Sequence, residues 1–315
     1  MVRYIITRLV WMVLVIFLVI TLLYMSMSYA TTTQYVEGLP KMDVLKEIFK
    51  IYKVYLSNII HNWDWGLSEE GEDVWDLVVR KIPITLKINL ISFFVYVPTA
   101  IILGMISAVK KNRITDQIIS IFTLTFSSVP PFVMGFALIL FFGYQLGWLP
   151  PLYPVEPYNL THRILGFFIP VIALSIGPIA NLTRLMRGEL IETFSLDYLL
   201  LAKIKGLNNR QVIFRHAFRN SIVSVMPALS FTFIGVLTWS FLLEVIYNIQ
   251  GLANLFMDAM FKPFMDIHYV LIDINTTVLI GVFYTTLGLI MAFIIDILYV
   301  VVDPRIKMGH KKVKN

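Results

Sequence analysis

The sequence predicts an all-α membrane protein with six transmembrane helices. Hydrophobic residues make up 58% of the 315 residues, charged residues only 15%, and the mean hydropathy is +0.77. A soluble globule of this length needs more polar surface than this composition supplies. Six apolar stretches are long enough to cross a bilayer, and basic residues are concentrated between alternate stretches, as the positive-inside rule requires.

The composition also excludes several functions. Basic loops on one side of a membrane explain the net charge of +6, so we expect no nucleic-acid partner. Cysteine is absent, the five histidines are far apart, and neither a GxxxxGKS/T phosphate loop nor a GxSxG nucleophile motif occurs. We therefore expect no catalytic residue, metal or cofactor on this chain. Any energy source must lie on a partner.

The first predicted span runs from Leu9 to Ala30 and follows Arg3 and Arg8. These 22 residues make about 33 Å of helix, which is enough to cross a hydrocarbon core. A signal peptide is the alternative, since residues 28–30 resemble a cleavage site. The apolar region is too long for that, so we interpret it as an anchor.

A polar segment follows, residues 31–84, with six basic and nine acidic residues. Within it, Met42–Ile60 has the periodicity of an amphipathic helix that lies on the outer membrane surface or against the bundle. Acidic residues at 69–73 suggest either a cation site or, as we favour, a solvated loop. The apolar face of the predicted helix consists of Leu45, Ile48, Phe49, Tyr52, Tyr55 and Leu56.

The second predicted span is Ile88–Val109 and the third runs from about Gln117 to Tyr144. Pro130 and Pro131 interrupt the third at mid-membrane, where they remove helical hydrogen bonds and predict a kink. Freed carbonyls are tolerated only where neighbours or a water-lined cavity satisfy them. The kink therefore indicates a pore, although such kinks also occur in helices that line none.

The remaining spans are predicted at Ile164–Thr183, Asn220–Leu243 and Ile274–Val302. A stiff outer loop, 145–163, precedes the fourth and contains four prolines. The fifth ends at Glu244 near the outer surface. A loop rich in aromatic and methionine side chains follows it and is a candidate membrane plug, with Phe256, Met257, Met260, Phe261, Phe264 and Met265.

The loop between spans four and five is predicted to fold into two short helices at an angle. Gly206 favours the left-handed conformation that ends a helix, and Asn208 with Gln211 has the spacing of a capping box that starts another. We call residues 197–220 the elbow. An ordinary connector that only orients its neighbours is the alternative, and a DNA-reading helix pair is excluded by the flanking spans. Its exposed basic residues are predicted to be Lys203, Lys205, Arg210, Arg215 and Arg219.

Polar and helix-breaking residues within the spans are candidates for a pore or for hinges. Asp296 is costly inside a bilayer, and either pairs with a nearby base or relays protons. Asn181 and several threonines are consistent with a wet path but can also bond to their own helix. The candidate pore or hinge residues are Pro130, Pro131, Pro178, Pro227, Glu244, Thr277 and Asp296.

Charge distribution sets the expected orientation. Of the 26 lysine and arginine residues, 17 lie on the side of both termini, and the largest loop on the other side is acidic on balance. We therefore expect both termini, the elbow and the basic tail 303–315 in the cytoplasm.

Several motifs in order make the chain similar to a known family. The opening MVRYIITRLVW, then WDWGLS with DLVVRKIPITL, and SVPPFVMGFALILFFGYQLGWLPP resemble permease subunits of binding-protein-dependent ABC importers. The elbow contributes DY, AKIKGL and RHAFRN, and the end contributes EVIY, GL and DILYVVVDPRI. The resemblance is strongest to the B-type subunit of oligopeptide and dipeptide permeases.

The resemblance implies the type I ABC importer permease fold, with the elbow as the EAA coupling loop that docks in a cytoplasmic ATPase. Leu200 and Leu201 depart from the family motif, which has an acidic residue and an alanine there, and TTTQYVEGLP replaces a PGDP-like turn. The implied coupling residues are Asp197, Tyr198, Ala202, Lys205, Gly206, Leu207, Arg210, His216, Arg219 and Asn220.

The resemblance also implies partners and a location. These are a C-type permease subunit, two ATPases that bind ATP and Mg, and an extracytoplasmic binding protein, at a prokaryotic inner membrane. The implied domains are 1–84, a permease domain 85–302 with its coupling loop at about 195–220, and the tail 303–315. Nickel, glutathione or another small solute is an alternative cargo. A proton-coupled carrier and a non-transporting scaffold are rival functions.

Overall fold

The computed structural model describes residues 2–35, 40–154, 159–263 and 270–302 and is almost entirely helical there. The chain divides into two compact units. The first comprises residues 1–86 and 248–289, and the second comprises residues 87–247 and 290–315. Helices α3 (Val74–Val109) and α11 (Ile274–Val302) contribute to both units.

The first unit is built on aromatic contacts between its first two helices. The ring of Tyr24 stacks on Tyr55 with centroids 4.5 Å apart, and the hydroxyls of Thr21 and Tyr52 are hydrogen-bonded at 2.7 Å. A two-stranded antiparallel ribbon completes the unit. Besides α3 and α11, its elements are α1 (Val2–Tyr35), α2 (Lys41–Asn62), α10 (Leu252–Met260), β1 (Lys262–Pro263) and β2 (Val270–Leu271).

The predicted amphipathic helix is present as α2, but its buried face differs in part from the predicted one. Leu45 and Phe49 are exposed, whereas Val44 and Ile59 are buried. The apolar residues of α2 cover a wider part of the helix surface than the face that contacts the rest of the first unit. Apolar residues at the edge of that surface therefore remain exposed.

Asp273 connects two parts of the first unit. Its carboxylate accepts hydrogen bonds from the Thr276 backbone N–H at 3.0 Å and the Thr276 hydroxyl at 2.7 Å, which caps α11. It also accepts from the backbone N–H of Glu69 at 3.2 Å. The acidic turn is thereby fastened to α11, and Glu72 in this turn pairs with Arg80 at 2.8 Å.

The second unit contains the remaining helices and the ends of α3 and α11. Tight packing joins α3 to α6, since a Cβ placed on Gly104 would lie 2.7 Å from the Cβ of Met186. Its elements are α4 (Ile114–Ser127), α5 (Pro131–Leu138) with a π-helical continuation (Ile139–Gln145), α6 (Leu160–Phe194), α7 (Asp197–Ile204), α8 (Asn209–Gln211) with a π-helical continuation (Val212–Ala217), and α9 (Phe218–Ile246).

Five helices of the described residues are long and apolar enough to cross a membrane, and a bent pair supplies a sixth if it counts as one span. The predicted third span is interrupted at Pro130 and Pro131 as expected, but the interruption is a break and not a kink: α4 and the helix from Pro131 to Gln145 are separate and meet at 103°. Pro130 is extended and Pro131 starts the new helix. Two successive prolines offer no N–H to the preceding turn, so the first helix ends there.

Other helices extend beyond the predicted boundaries of their spans. The fourth span continues past Thr183 to Phe194, and the second starts at Val74 instead of Ile88. Hydropathy detects only the apolar part of a helix, while the backbone hydrogen bonds continue into polar sequence. The sixth span has the predicted bounds, Ile274–Val302. The tail 303–315 and the candidate plug residues Phe264 and Met265 lie outside the described residues.

Candidate functional site

The first half of the elbow is a short helix with a complete C-terminal cap. Gly206 has φ +83°, and its N–H donates to the Lys203 carbonyl at 3.0 Å. The N–H of Leu207 donates to the Ala202 carbonyl at 3.3 Å. These two hydrogen bonds form a Schellman motif, in which glycine takes the left-handed position without strain. The predicted helix end at Gly206 is confirmed.

The second half starts with the predicted capping box. The Asn208 side chain accepts from the Gln211 N–H at 2.8 Å, and the Gln211 side chain accepts from the Asn208 N–H at 3.1 Å. The prediction of a second short helix is wrong, however. From Asn209 the helix continues to Ile246 through the π-helical turn, because residues 209–226 contain no glycine or proline and Pro227 does not end the helix.

The elbow is therefore one short helix packed on the end of a long one. Its interior consists of Leu199, Ala202, Val212 and Ala217, all buried. A hydrogen bond of 2.9 Å between the hydroxyls of Thr193 and Ser221 joins the end of α6 to the start of α9. The short helix thus rests on a framework that continues into two long helices.

The outer surface of the elbow combines apolar and basic side chains. Ile204 is 73% exposed and lies between Lys203 and Lys205, which are also exposed. An exposed apolar patch with a polar rim is typical of a protein interface. The other exposed apolar residues are Leu200, Leu201 and Phe214, and the other exposed basic residues are Arg210, Arg215 and Arg219.

The remaining predicted coupling residues occupy different environments. Asp197 and Tyr198 are exposed in the first turn of α7, and burial of part of its ring raises the pKa of Tyr198. Asn220 is exposed, whereas His216 is half-buried in the π-helical turn. The exposed members of the predicted set can contact a partner directly.

An ion pair that sequence reasoning missed fixes α4 to α6. Both carboxylate oxygens of Asp116 accept from the Arg187 guanidinium, at 2.7 and 2.8 Å. Asp116 also accepts from the Ser107 hydroxyl and from the backbone N–H of Asn112, whose φ is +64°. The Asp116 side chain is only 4% exposed. One carboxylate therefore holds α3, the α3–α4 turn and α6 together.

A cavity of about 350 Å³ lies at the break between α4 and α5. Helices α6 and α9 form its other walls. The predicted pore residues Pro130, Pro131 and Pro178 line it. The other lining residues are Ser127, Ser128, Val129, Leu174, Gly177, Asn181, Thr232, Gly235, Val236 and Trp239.

Four predicted pore or hinge residues are not among those that line this cavity. Pro227 is exposed within α9, and Asp296 is half-buried in α11. Thr277 is buried in the first unit. Glu244 is fully buried and α9 continues beyond it to Ile246, so the predicted end of the span at Glu244 is two residues short.

Tyr247 holds one end of the second unit together. Its hydroxyl donates to the Gly135 carbonyl at 2.9 Å, and its own carbonyl accepts from the Tyr153 N–H at 2.9 Å. A Cβ on Gly135 would lie 2.8 Å from Leu243. The position of α5, which bounds the cavity, thus depends on this tyrosine. The motif EVIY contains Tyr247, but spacing alone does not reveal its contacts.

Comparison with known proteins identifies the family. The sequence profile of the binding-protein-dependent transport system inner membrane component family matches residues 100–308, about two thirds of the chain. The chain belongs to this family. The matched range includes the elbow, the cavity and the Asp116–Arg187 ion pair. As a member, the chain is a multi-pass membrane component of a transport system, and the predicted resemblance is confirmed.

Curated relatives extend the likeness over most of the chain. Dipeptide transport system permease protein DppB of Lactococcus lactis is 28% identical over 98% of this chain and 100% of its own length. Oligopeptide transport system permease protein OppB of Haemophilus influenzae is 30% identical over 85% of this chain and 83% of its own. OppB of Salmonella typhimurium is 31% identical over 81% of this chain and 79% of its own length.

A solved structure supports the fold. The inward-facing MetNI methionine ABC transporter includes a chain that matches 72% of this one and 96% of its own length, with a TM-score of 0.53. At 16% identity, this likeness shows the fold alone. The predicted type I ABC importer permease fold is confirmed.

Proposed function

We propose that this permease is one of two membrane-spanning subunits of an ATP-driven importer of dipeptides or oligopeptides. Relatives named as dipeptide and oligopeptide permeases cover most of the chain, which supports this cargo over nickel, glutathione or another small solute. The second subunit is a C-type permease, and a binding protein delivers substrate from outside. Two ATPases hold ATP and Mg on the cytoplasmic side, and the lipid of a prokaryotic inner membrane surrounds the spans.

The elbow surface is the observation that carries the proposal. It presents Ile204 and neighbouring apolar side chains inside a basic rim, on a short helix whose C-terminal end is capped. Burying such a patch against an ATPase contributes roughly 25 cal/mol for each Å² of apolar area removed from water. The basic rim favours an acidic groove as the docking surface. Both termini and the elbow are cytoplasmic in this proposal.

The continuous helix from Asn209 to Ile246 supplies the mechanical link. Its first residues pack under α7, and Thr232, Gly235 and Trp239 farther along the same helix line the cavity. A displacement of the elbow by a closing ATPase therefore moves one cavity wall. Pro178 and Pro227 each remove a hydrogen bond within α6 and α9, respectively, so we expect these helices to bend there when the elbow moves.

The cavity fits a place on the translocation path. Asn181 and Ser128 are exposed polar residues in the central parts of apolar segments, where contact with lipid is unfavourable. They are better placed against a partner subunit or an aqueous path. No acidic side chain occurs among the described lining residues. These residues therefore supply none of the carboxylates that a proton-coupled mechanism would use.

Replacing Ile204 with glutamate tests the docking role. A buried carboxylate at the centre of the patch is unfavourable by several kcal/mol unless paired, so ATPase association should fall about tenfold or more. The measurement is the amount of ATPase that co-purifies with the permease from membranes, together with permease-stimulated ATP hydrolysis.

Ile204→Leu is the matched control, because it keeps the apolar contact with nearly the same volume. It should retain association and stimulated hydrolysis. Normal ATPase recovery with Ile204→Glu, in permease that reaches the membrane at normal levels, contradicts the docking role of the elbow.

A further inference from the structure

Pro178, inside α6, leaves a helix carbonyl at the cavity without its usual donor. Pro178 has no N–H to offer the carbonyl of Leu174, and both residues line the cavity. Pro130 and Pro131, which also line the cavity, have no backbone N–H and so contribute carbonyl acceptors but no backbone donors. Among the lining residues, backbone carbonyls therefore outnumber backbone N–H groups.

The side chains add further acceptors. The Thr232 hydroxyl already donates to the Ala228 carbonyl at 2.8 Å, and the Ser127 hydroxyl donates to the Leu124 carbonyl at 3.2 Å. Each hydroxyl therefore presents only lone pairs to a ligand. The Asn181 side chain contributes an amide oxygen.

An aromatic face completes the cavity wall. Trp239 lines it and stacks on Phe132 with ring centroids 6.0 Å apart and planes at 27°. Indole is the best of the aromatic side chains at attracting a cation to its face. No acidic or basic side chain is among the described residues that line the cavity.

We propose that this cavity is a transient binding site for the α-ammonium group at the N-terminal end of a transported peptide. Neutral carbonyl and hydroxyl oxygens replace water around the ammonium group, and the indole face of Trp239 adds a cation–π contact. A fixed carboxylate would hold the cation more tightly and slow its release, whereas passage requires binding that is also easily reversed. The inference rests on the proposed role in peptide import and adds the chemical group that is recognised.

Direct binding tests the site without the selectivity of the binding protein. The permease pair with its ATPases is placed in lipid nanodiscs and titrated with trialanine or N-acetyl-trialanine, with saturation-transfer NMR as the readout. Acetylation removes the charge and two donors, so affinity should fall about tenfold. Trialanine amide, which keeps the ammonium group, should bind within about twofold of trialanine.

Variants of the lining residues locate the binding. Trp239→Leu and Asn181→Leu should each weaken trialanine binding about fivefold or more. Asn181→Asp should strengthen binding of trialanine about tenfold and leave N-acetyl-trialanine unchanged, since only the former carries the cation. This gain is informative even if a leucine variant fails to fold. Thr238→Val is the matched control on the same helix, because Thr238 is exposed and does not line the cavity.

Equal affinity for trialanine and its acetylated form overturns the inference, and so does wild-type binding by both Trp239→Leu and Asn181→Asp. Weaker binding by Thr238→Val also overturns it, since the effect is then not local. ATPase co-purification is measured on the same preparations and should be unchanged. If no ATPase co-purifies with the wild-type permease, the proposed function is contradicted and not the binding site. The failure of the inference and the failure of the proposed function are therefore distinguishable.

Discussion

Arg187→Met is expected to lower the free energy of unfolding by about 3 kcal/mol, the lower end of the usual cost of removing one partner of a buried ion pair, because the Arg187 side chain is 28% exposed. The substitution leaves the carboxylate of Asp116 with only two donors in a site where its side chain is 4% exposed. It also removes the ion pair that joins α4 to α6. Titration of the purified permease with sodium dodecyl sulfate in mixed micelles measures the change.

The exposed ion pair between Arg80 and Glu72 supplies the control. Its N–O distance is 2.8 Å, similar to that of the buried pair, but its side chains are 64% and 49% exposed. Arg80→Met should therefore cost about 1 kcal/mol or less. Equal losses for Arg187→Met and Arg80→Met contradict the assignment of Asp116 as a structural hub. Replacing Asp116 with leucine together with Arg187→Met should recover part of the stability, since no uncompensated charge remains.

Gly206→Val is expected to abolish uptake and to reduce permease-stimulated ATP hydrolysis about tenfold or more. A β-branched residue is strongly disfavoured at φ +83°, and forcing a left-handed conformation costs roughly 1–2 kcal/mol. A Cβ added at this position would meet no atom within 4 Å, so the effect comes from the backbone and not from a clash. The Schellman hydrogen bonds should open and α7 should lose its fixed direction. Transport and hydrolysis in reconstituted complexes measure the effect.

Gly206→Asn is the matched control, because asparagine is the non-glycine residue that best tolerates this conformation. It should retain most of the coupled activity. Both variants should reach the membrane at normal levels, since the substitution lies outside the packed spans. Full uptake by Gly206→Val contradicts the requirement for a rigid elbow.

Local rules predicted the elbow well. Gly206, Asn208 and Gln211 act through hydrogen bonds to residues within a few positions, so sequence spacing contains the information. The continuity of the second helix with α9 does not follow from hydropathy, because polar residues within 215–220 separate its apolar start from the apolar span. The length of α6 beyond Thr183 was missed for a similar reason.

Tertiary features were harder to predict. The prolines at 130 and 131 indicated an interruption, but the 103° turn also depends on how α5 packs against Tyr247 and Leu243. Asp116 and Arg187 are 71 positions apart, and neither shows a pattern that pairs them. Residue type alone does not show which face of a helix a side chain occupies, so it does not predict that Pro178 lines the cavity and Pro227 does not.

The orientation and contacts of residue 204 test the account most directly. The chain has no cysteine, so Ile204→Cys supplies a single reactive site, and Leu67→Cys supplies an exposed control expected on the opposite side of the membrane. A membrane-impermeant maleimide is applied to right-side-out and inside-out vesicles, with and without the ATPases. We predict that Ile204→Cys is labelled only in inside-out vesicles and that bound ATPase blocks the labelling. Labelling in right-side-out vesicles, or equal labelling with and without bound ATPase, contradicts the account.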